Sequence, residues 1–96
     1  KISHAGVTLD SSSCKVSANQ KSVELTKNEL RILSLLMQNA GTVVSRQRIQ
    51  EELWQSDEFV DDNTLTVNIS HLRNTLASIG VEDFVMTRRG LGYVIE

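Results

Sequence analysis

Apolar residues recur at helical spacing in three separate stretches of the chain. In the first stretch they lie three or four positions apart, at Leu30, Leu33 and Met37. This spacing places them on one face of an α-helix. Thr26 and Glu29 have the capping-box spacing that begins a helix, and Asn39 with Gly41 supplies residues that end one. We predict a structural helix here, because a leucine-rich stripe is typical of a core.

The second stretch predicts a helix from Arg46 to Trp54, capped by Ser45. Its apolar side is predicted to hold Ile49, Leu53 and Trp54. Arg46 and Arg48 lie in the first turn, where the helix dipole disfavours positive charge. A nearby anion, such as a DNA phosphate, would remove this conflict. The pattern is equally compatible with two solvated surface arginines.

The third stretch predicts one long helix from Thr64 to Ile79, with capping residues at 61–63 and Gly80 at its end. A narrow apolar stripe faces the core, at Leu65, Ile69, Leu72 and Leu76. The opposite face holds Asn63, Thr64, Val67, Ser70, His71 and Asn74. That outward face has almost no charge.

An ordinary solvated helix face is rich in Lys, Glu and Arg, which are better helix formers than Asn, Ser or Thr. Short amides and hydroxyls suit base edges in the major groove of DNA, and Val67 can meet a thymine methyl group. Contact with another protein would use such a face as well. We therefore predict a recognition helix for DNA, with a protein-binding helix as the alternative.

Strand patterns lie on both sides of the helices. Between Val7 and Leu25, short β-prone pieces alternate with turn-forming clusters, which predicts a small antiparallel sheet. Near the end, strands over 84–87 and 93–95 flank a Gly-containing turn over 88–92. Arginines at the tip of that hairpin can reach a phosphate or a narrow minor groove, or serve solubility alone. The predicted fold class is α+β: a winged helix-turn-helix with an N-terminal antiparallel sheet, three helices and a C-terminal β-hairpin wing.

Composition restricts the function classes. The 96 residues suit one domain, residues 1–96, with 40% apolar residues. A formal charge of −2 argues mildly against nucleic acid, so the distribution of the arginines must matter more than their total. No apolar run is long enough for a membrane span or a signal peptide. A single cysteine, Cys14, cannot form an internal disulfide and is expected to be a structural thiol in a reducing cytoplasm.

An enzyme is disfavoured by the absence of a recognisable catalytic motif. Cys14 and His71 are candidate nucleophile and base, but the chain has no triad order, no HExxH metal motif and no Gly-rich phosphate loop. His4 is expected in a loose terminus. We therefore predict no catalytic residues, no metal and no cofactor.

Four segments together resemble a known family. LTKNELRILSLL, VVSRQRIQEELW, TLTVNISHLRNTL and TRRGLGYVI occur in this order over 25–96. They are similar to the C-terminal DNA-binding (effector) domains of OmpR/PhoB response regulators in two-component systems. The segment DDNTLTVN further resembles the corresponding segment of regulators of resistance to antimicrobial peptides such as bacitracin and nisin. The resemblance implies transcription regulation through double-stranded promoter DNA.

The resemblance also implies roles for particular residues. On the third helix, the positions that match DNA contacts are Asn63, Thr64, Val67, Ser70, His71 and Arg73, with Arg73 on phosphate. On the wing, Arg89 would approach the minor groove, with Thr87 and Arg88 near the DNA backbone. The loop that would contact RNA polymerase holds Gln55, Ser56, Asp57 and Glu58, although a plain connector anchored by Phe59 explains it equally well.

The family further implies partners that this chain does not contain. These are a receiver domain phosphorylated by a sensor histidine kinase, and a second copy that forms a dimer on DNA. Many relatives have basic residues where this sequence has Asn63, Ser70, His71 and Asn74. We therefore expect a weaker electrostatic attraction between this chain and DNA. Tandem binding to direct repeats about one helical turn apart then becomes more necessary.

Overall fold

The computed structural model describes residues 1–55 and 60–96. These form a four-stranded antiparallel sheet in the order β1-β2-β3-β4, three helices, and a two-stranded hairpin. The strands of the sheet are β1 Ile2–His4, β2 Val7–Asp10, β3 Lys15–Ala18 and β4 Lys21–Glu24. The helices are α1 Lys27–Gln38, α2 Arg46–Trp54 and α3 Asp62–Ala77. The hairpin, which we call the wing, pairs β5 Met86–Arg88 with β6 Gly92–Val94. The predicted α+β winged-helix fold is confirmed.

The N-terminal sheet covers the helices with one face. Along β2 and β3 the buried residues alternate with half-exposed or exposed ones, as period-two side-chain geometry requires. Leu9 lies opposite Val16, and both are fully buried. The sheet also includes β1, which lies before the stretch from Val7 to Leu25 where strands were predicted. His4 in that strand is hydrogen-bonded through Nε2 to the Glu96 carbonyl at 2.9 Å, so the expectation of a loose terminus was wrong.

Helix α1 begins as predicted. The Thr26 hydroxyl accepts a hydrogen bond from the Glu29 amide at 3.1 Å, and the Glu29 carboxylate accepts one from the Thr26 amide at 2.9 Å. The capping box is therefore complete. At the other end, the Asn39 side chain donates to the Leu35 carbonyl at 2.8 Å, and Gly41 has a positive φ.

Helices α2 and α3 pack their apolar stripes into the same core. On α3 the stripe of Leu65, Ile69, Leu72 and Leu76 is buried as predicted. Burying each of these side chains stabilises the fold by about 1.5–3 kcal/mol. On α2, Ile49 and Leu53 are fully buried, whereas Trp54 is 41% exposed, so it does not share their side as predicted. Its indole instead donates to the Val60 carbonyl at 3.1 Å.

Both wing strands are shifted from the predicted ranges, from 84–87 to Met86–Arg88 and from 93–95 to Gly92–Val94. Strand β5 begins at Met86 and not at Phe84, since the Val85 carbonyl accepts from the Arg73 side chain at 3.0 Å. Strand β6 ends before Ile95, whose carbonyl accepts from the Gly41 amide at 2.7 Å.

Candidate nucleic-acid interface

The outward face of α3 is exposed over its whole length. Its members are Asn63, Thr64, Val67, Ser70, His71 and Asn74, and each is exposed. Val67 shows 50% of its surface. None of these side chains carries a charge when His71 is neutral. The structure therefore presents the predicted uncharged surface to the surroundings.

Asp61 starts this helix. Its carboxylate accepts a hydrogen bond from the Thr64 amide at 2.7 Å, which satisfies one of the unpaired amides of the first turn. That bond lowers the pKa of Asp61, because it stabilises the charged carboxylate. Asp62 follows in the first turn, where the helix dipole favours negative charge. The N-terminal end of α3 is thus well defined before any partner binds.

Arg46 ties the start of α2 to the start of α3. Its Nε donates to the Asp62 carboxylate at 2.8 Å, and its Nη2 donates to the Asp62 carbonyl at 2.7 Å and to the Thr66 hydroxyl at 2.8 Å. Hydrogen bonding to Asp62 raises the pKa of Arg46, which remains charged. Asp62 therefore supplies, from within the protein, an anion beside Arg46 that offsets the unfavourable position of this arginine in the first turn of α2. Contact of Arg46 with the DNA backbone stays a prediction.

Tyr93 of the wing lies between two arginines. The Tyr93 ring is buried, and its centroid lies 5.6 Å from the Arg46 guanidinium carbon and 5.7 Å from that of Arg73. The Tyr93 hydroxyl also accepts a hydrogen bond from Arg46 at 2.5 Å. Cation–π contacts of this kind contribute about 0.5–1 kcal/mol each at partly exposed sites. Tyr93 therefore joins α2, α3 and the wing at one point.

Arg73 fixes the wing beside the outward face of α3. Its Nε donates to the Val85 carbonyl at 3.0 Å, and its Nη2 donates to the Thr87 hydroxyl at 2.7 Å. These bonds anchor the start of the wing to α3, and Thr87 lies two residues before Arg89 in the sequence. The phosphate contact predicted for Arg73 is untested, and its guanidinium already has two acceptors inside the protein.

The other arginines predicted to contact DNA differ in whether they form an ion pair within the protein. Arg88 is ion-paired with Glu96, and Arg48 with Glu52 at 3.1 Å. Arg89 is exposed, and it has no hydrogen bond or ion pair with the residues that the structure describes. Arg89 is accordingly the arginine of the wing that is available to a ligand.

Residues 19–95 match the protein family described as "Transcriptional regulatory protein, C terminal". The chain belongs to this family. Sensory transduction protein BceR of Bacillus subtilis is 40% identical over 89 residues, which cover 93% of this chain and 38% of BceR. Response regulator protein GraR of Staphylococcus epidermidis is 34% identical over 93 residues, covering 97% of this chain and 42% of GraR. The chain thus spans about two fifths of the length of the curated relatives it matches.

Solved structures give the same assignment. The C-terminal domain of the nisin resistance regulator NsrR superposes with a TM-score of 0.86 at 38% identity, covering 99% of this chain and 96% of that one. The Klebsiella pneumoniae RstA DNA-binding domain, solved in complex with the RstA box, superposes with a TM-score of 0.80 at 27% identity, covering 98% and 94%. The predicted OmpR/PhoB-type effector domain is confirmed, and the NsrR likeness agrees with the predicted antimicrobial-peptide resistance subgroup. The family is one of DNA-binding transcription regulators and not an enzyme family.

Several residues that shape this surface were not found from the sequence. Asp62 and Tyr93 hold Arg46 in place, and no local pattern indicates that pairing, since Arg46 and Tyr93 are 47 residues apart. Leu91 is 65% exposed at the tip of the wing. An apolar residue between two glycines is a signal that could have marked it. Thr75 donates to the buried Glu29 carboxylate at 2.7 Å and so joins the far end of α3 to α1.

The remaining predicted residues follow α2 in the sequence. Gln55 is exposed, whereas Ser56, Asp57 and Glu58, together with the predicted anchor Phe59, lie outside the described residues. The RNA polymerase contact predicted there stays untested. Cys14 is half-buried, and its thiol donates to the Leu25 carbonyl at 3.2 Å. Within 1–55 and 60–96, no helix has the length and apolar character needed to cross a membrane, and no group of His, Cys, Asp or Glu is arranged for a metal ion.

Proposed function

We propose that this chain recognises a specific promoter sequence by inserting α3 into the major groove of double-stranded DNA while the wing reaches the adjacent minor groove. The observation that carries the proposal is that Arg73 joins two elements, α3 with its exposed, uncharged face and the wing with its exposed Arg89, which has no hydrogen bond or ion pair among the described residues. Arg73 holds the two together through its bonds to the Val85 carbonyl and Thr87. The RstA relative is a DNA-binding domain solved in complex with its box.

The roles of single residues follow from this geometry. Asn63, Thr64, Val67, Ser70, His71 and Asn74 would meet base edges. Thr87, Arg88 and Arg89 would meet the wing-side backbone and minor groove, and Arg46, Arg48 and Arg73 would meet phosphates. Because Arg46 and Arg73 already hold the wing and α3 together, their substitution would weaken DNA binding through positioning as well as through lost charge.

The rest of the regulator is proposed from its relatives. The chain covers 38% of BceR. We propose that a receiver domain, controlled by a sensor histidine kinase, occupies the remainder of the full-length protein in the cytoplasm. Two output domains would then bind direct repeats as a dimer, and the connection after α2 would contact RNA polymerase.

Selection of bound duplexes from random DNA tests the function, followed by the salt dependence of binding to the selected site. The logarithm of the association constant should fall with the logarithm of salt concentration by about 0.9 per phosphate contact. Arg89→Ala should reduce that slope by about 1. Lys15→Ala is the matched control, because it removes the same charge from an exposed position on β3, and it should leave the slope unchanged.

A protein-binding module is the alternative, favoured by the net charge of −2 and by exposed Val67 and Leu91. Failure to enrich any DNA sequence would support that alternative and refute the proposed function. Equal loss of affinity in Arg89→Ala and Lys15→Ala would refute the role of the wing.

A further inference from the structure

We infer that the DNA read by this domain is rich in A·T base pairs, both under α3 in the major groove and under the wing in the minor groove. This inference rests on the proposed function and specifies its substrate class. It depends on which side chains reach the surface and which are held inside the protein.

The outward face of α3 contains the residue types that read A·T pairs. The amides of Asn63 and Asn74 can donate to and accept from adenine N7 and N6. Val67, 50% exposed, offers methyl groups to the thymine methyl. The Thr64 and Ser70 hydroxyls and the His71 imidazole can pair with either base type, so they do not decide the preference. The face therefore favours A·T pairs by composition.

Guanine recognition most often uses a bidentate Arg or Lys, and such a residue is missing from this face. The arginines near it are held elsewhere. Arg46 is bonded to Asp62, Thr66 and Tyr93, and Arg73 is bonded to Val85 and Thr87. Each would have to give up bonds within the protein to reach a guanine.

The wing adds an independent preference of the same kind. Narrow minor grooves form over A-tracts, and their enhanced negative potential attracts an inserted arginine. Arg89 is exposed and unpaired among the described residues, whereas Arg88 is held by Glu96. Gly90 beside it has nothing within 4 Å of a would-be Cβ, so the tip is slender and open.

Base analogues in the selected site separate the two grooves. Replacing each thymine in turn by deoxyuracil removes one methyl group. At the thymine under Val67 this should weaken binding about fourfold, from the burial of one methyl group. Val67→Ala should be insensitive to that replacement. Ser70→Ala, also on the outward face, is the matched control and should keep the sensitivity.

The wing is tested with 2,6-diaminopurine in place of adenine, which adds an amino group to the minor groove and leaves the major-groove edge unchanged. Under the wing this replacement should weaken the wild-type chain, and Arg89→Ala should not respond to it. The same replacement under α3 should leave the DNA affinity of both the wild-type chain and Arg89→Ala unchanged. Replacing an A·T pair by G·C under α3 should cost about 5- to 150-fold.

The outcomes separate this inference from the function on which it rests. No enriched sequence at all refutes the proposed function. A selected site rich in G·C under α3, bound tightly and with a steep salt slope, leaves the function standing and overturns this inference. A uracil effect that persists in Val67→Ala overturns the assignment of that contact.

Discussion

Gly92 is the position where a single methyl group should disturb the wing most. It is buried where β6 crosses the segment before α2, and its φ is +149°. A Cβ built there would lie 2.0 Å from the Val44 carbonyl oxygen, 2.8 Å from the Val44 carbonyl carbon and 2.9 Å from the Ser45 Cα. All three are backbone atoms, so no side-chain rotation relieves the clash.

The cost of Gly92→Ala can be worked from the bonds that must give way. The Tyr93 amide donates to the Val44 carbonyl at 3.0 Å, and the Val44 amide donates to the Tyr93 carbonyl at 2.8 Å. Losing both costs about 1 kcal/mol each, forcing an atom into a packed site costs about 1–3 kcal/mol, and holding an alanine at this φ costs about 1–3 kcal/mol more. We expect a loss of about 4–8 kcal/mol in the free energy of unfolding, a large part of the roughly 5–15 kcal/mol of a typical domain.

Urea unfolding measures this loss, and Gly90→Ala is the matched control. Gly90 lies two residues before Gly92, in the turn of the wing, and also has a positive φ, +75°, but nothing lies within 4 Å of its would-be Cβ. Only backbone strain of about 1–2 kcal/mol is expected there. DNA affinity should also fall more in Gly92→Ala, because displacing Tyr93 releases Arg46 and Arg73. Equal unfolding midpoints for the two variants would refute the argument that backbone contact with Val44 sets the cost.

Three further predictions concern α3. Because the pKa of Asp61 is lowered in the folded protein, its contribution to stability is present above the ordinary value of 3.8 and is lost as the pH falls through the lower native value. Asp61→Asn should keep the helix cap and remove this acid dependence, as measured by urea unfolding at several pH values. An unchanged pH profile would contradict the role of the Asp61 carboxylate. Thr75→Val should destabilise the fold by about 1–3 kcal/mol, because it leaves a buried Glu29 oxygen without its donor. Thr75→Ser should retain most of the stability, and equal losses in thermal or urea unfolding would count against the bond. His71→Ala should relax base preference at one position of the selected site by about 1–3 kcal/mol without altering stability, and an unchanged selection profile would exclude the contact.

Helix positions were predictable because their signals are local. The capping box at Thr26 and the Ser45 cap each act within one helical turn, and the buried residues of α3 recur every three or four positions. The predicted bounds of α2 were confirmed. Helix α3 begins two residues earlier than predicted, since Asp61 and not a later residue supplies the cap.

Strand positions were less predictable because pairing partners are distant. Strand β1 is three residues long and has a half-exposed pattern, so that its sequence carries little periodic signal. It exists through its pairing with β2 and the contact of His4 with Glu96, 92 residues away. The limits of β5 and β6 depended likewise on hydrogen bonds from Arg73 and Gly41.

The sequence alone determined the winged-helix architecture, the buried stripe of α3 and the uncharged face opposite it, because periodicity and capping are properties of neighbouring residues. Which arginines are available to DNA was decided only by the tertiary structure. Arg46, Arg73 and Arg89 are the same residue type, and their spacing does not distinguish them. Packing brings Asp62, Tyr93 and Thr87 to the first two and leaves Arg89 exposed, since hydrogen-bond partners far apart in the chain meet only when it folds.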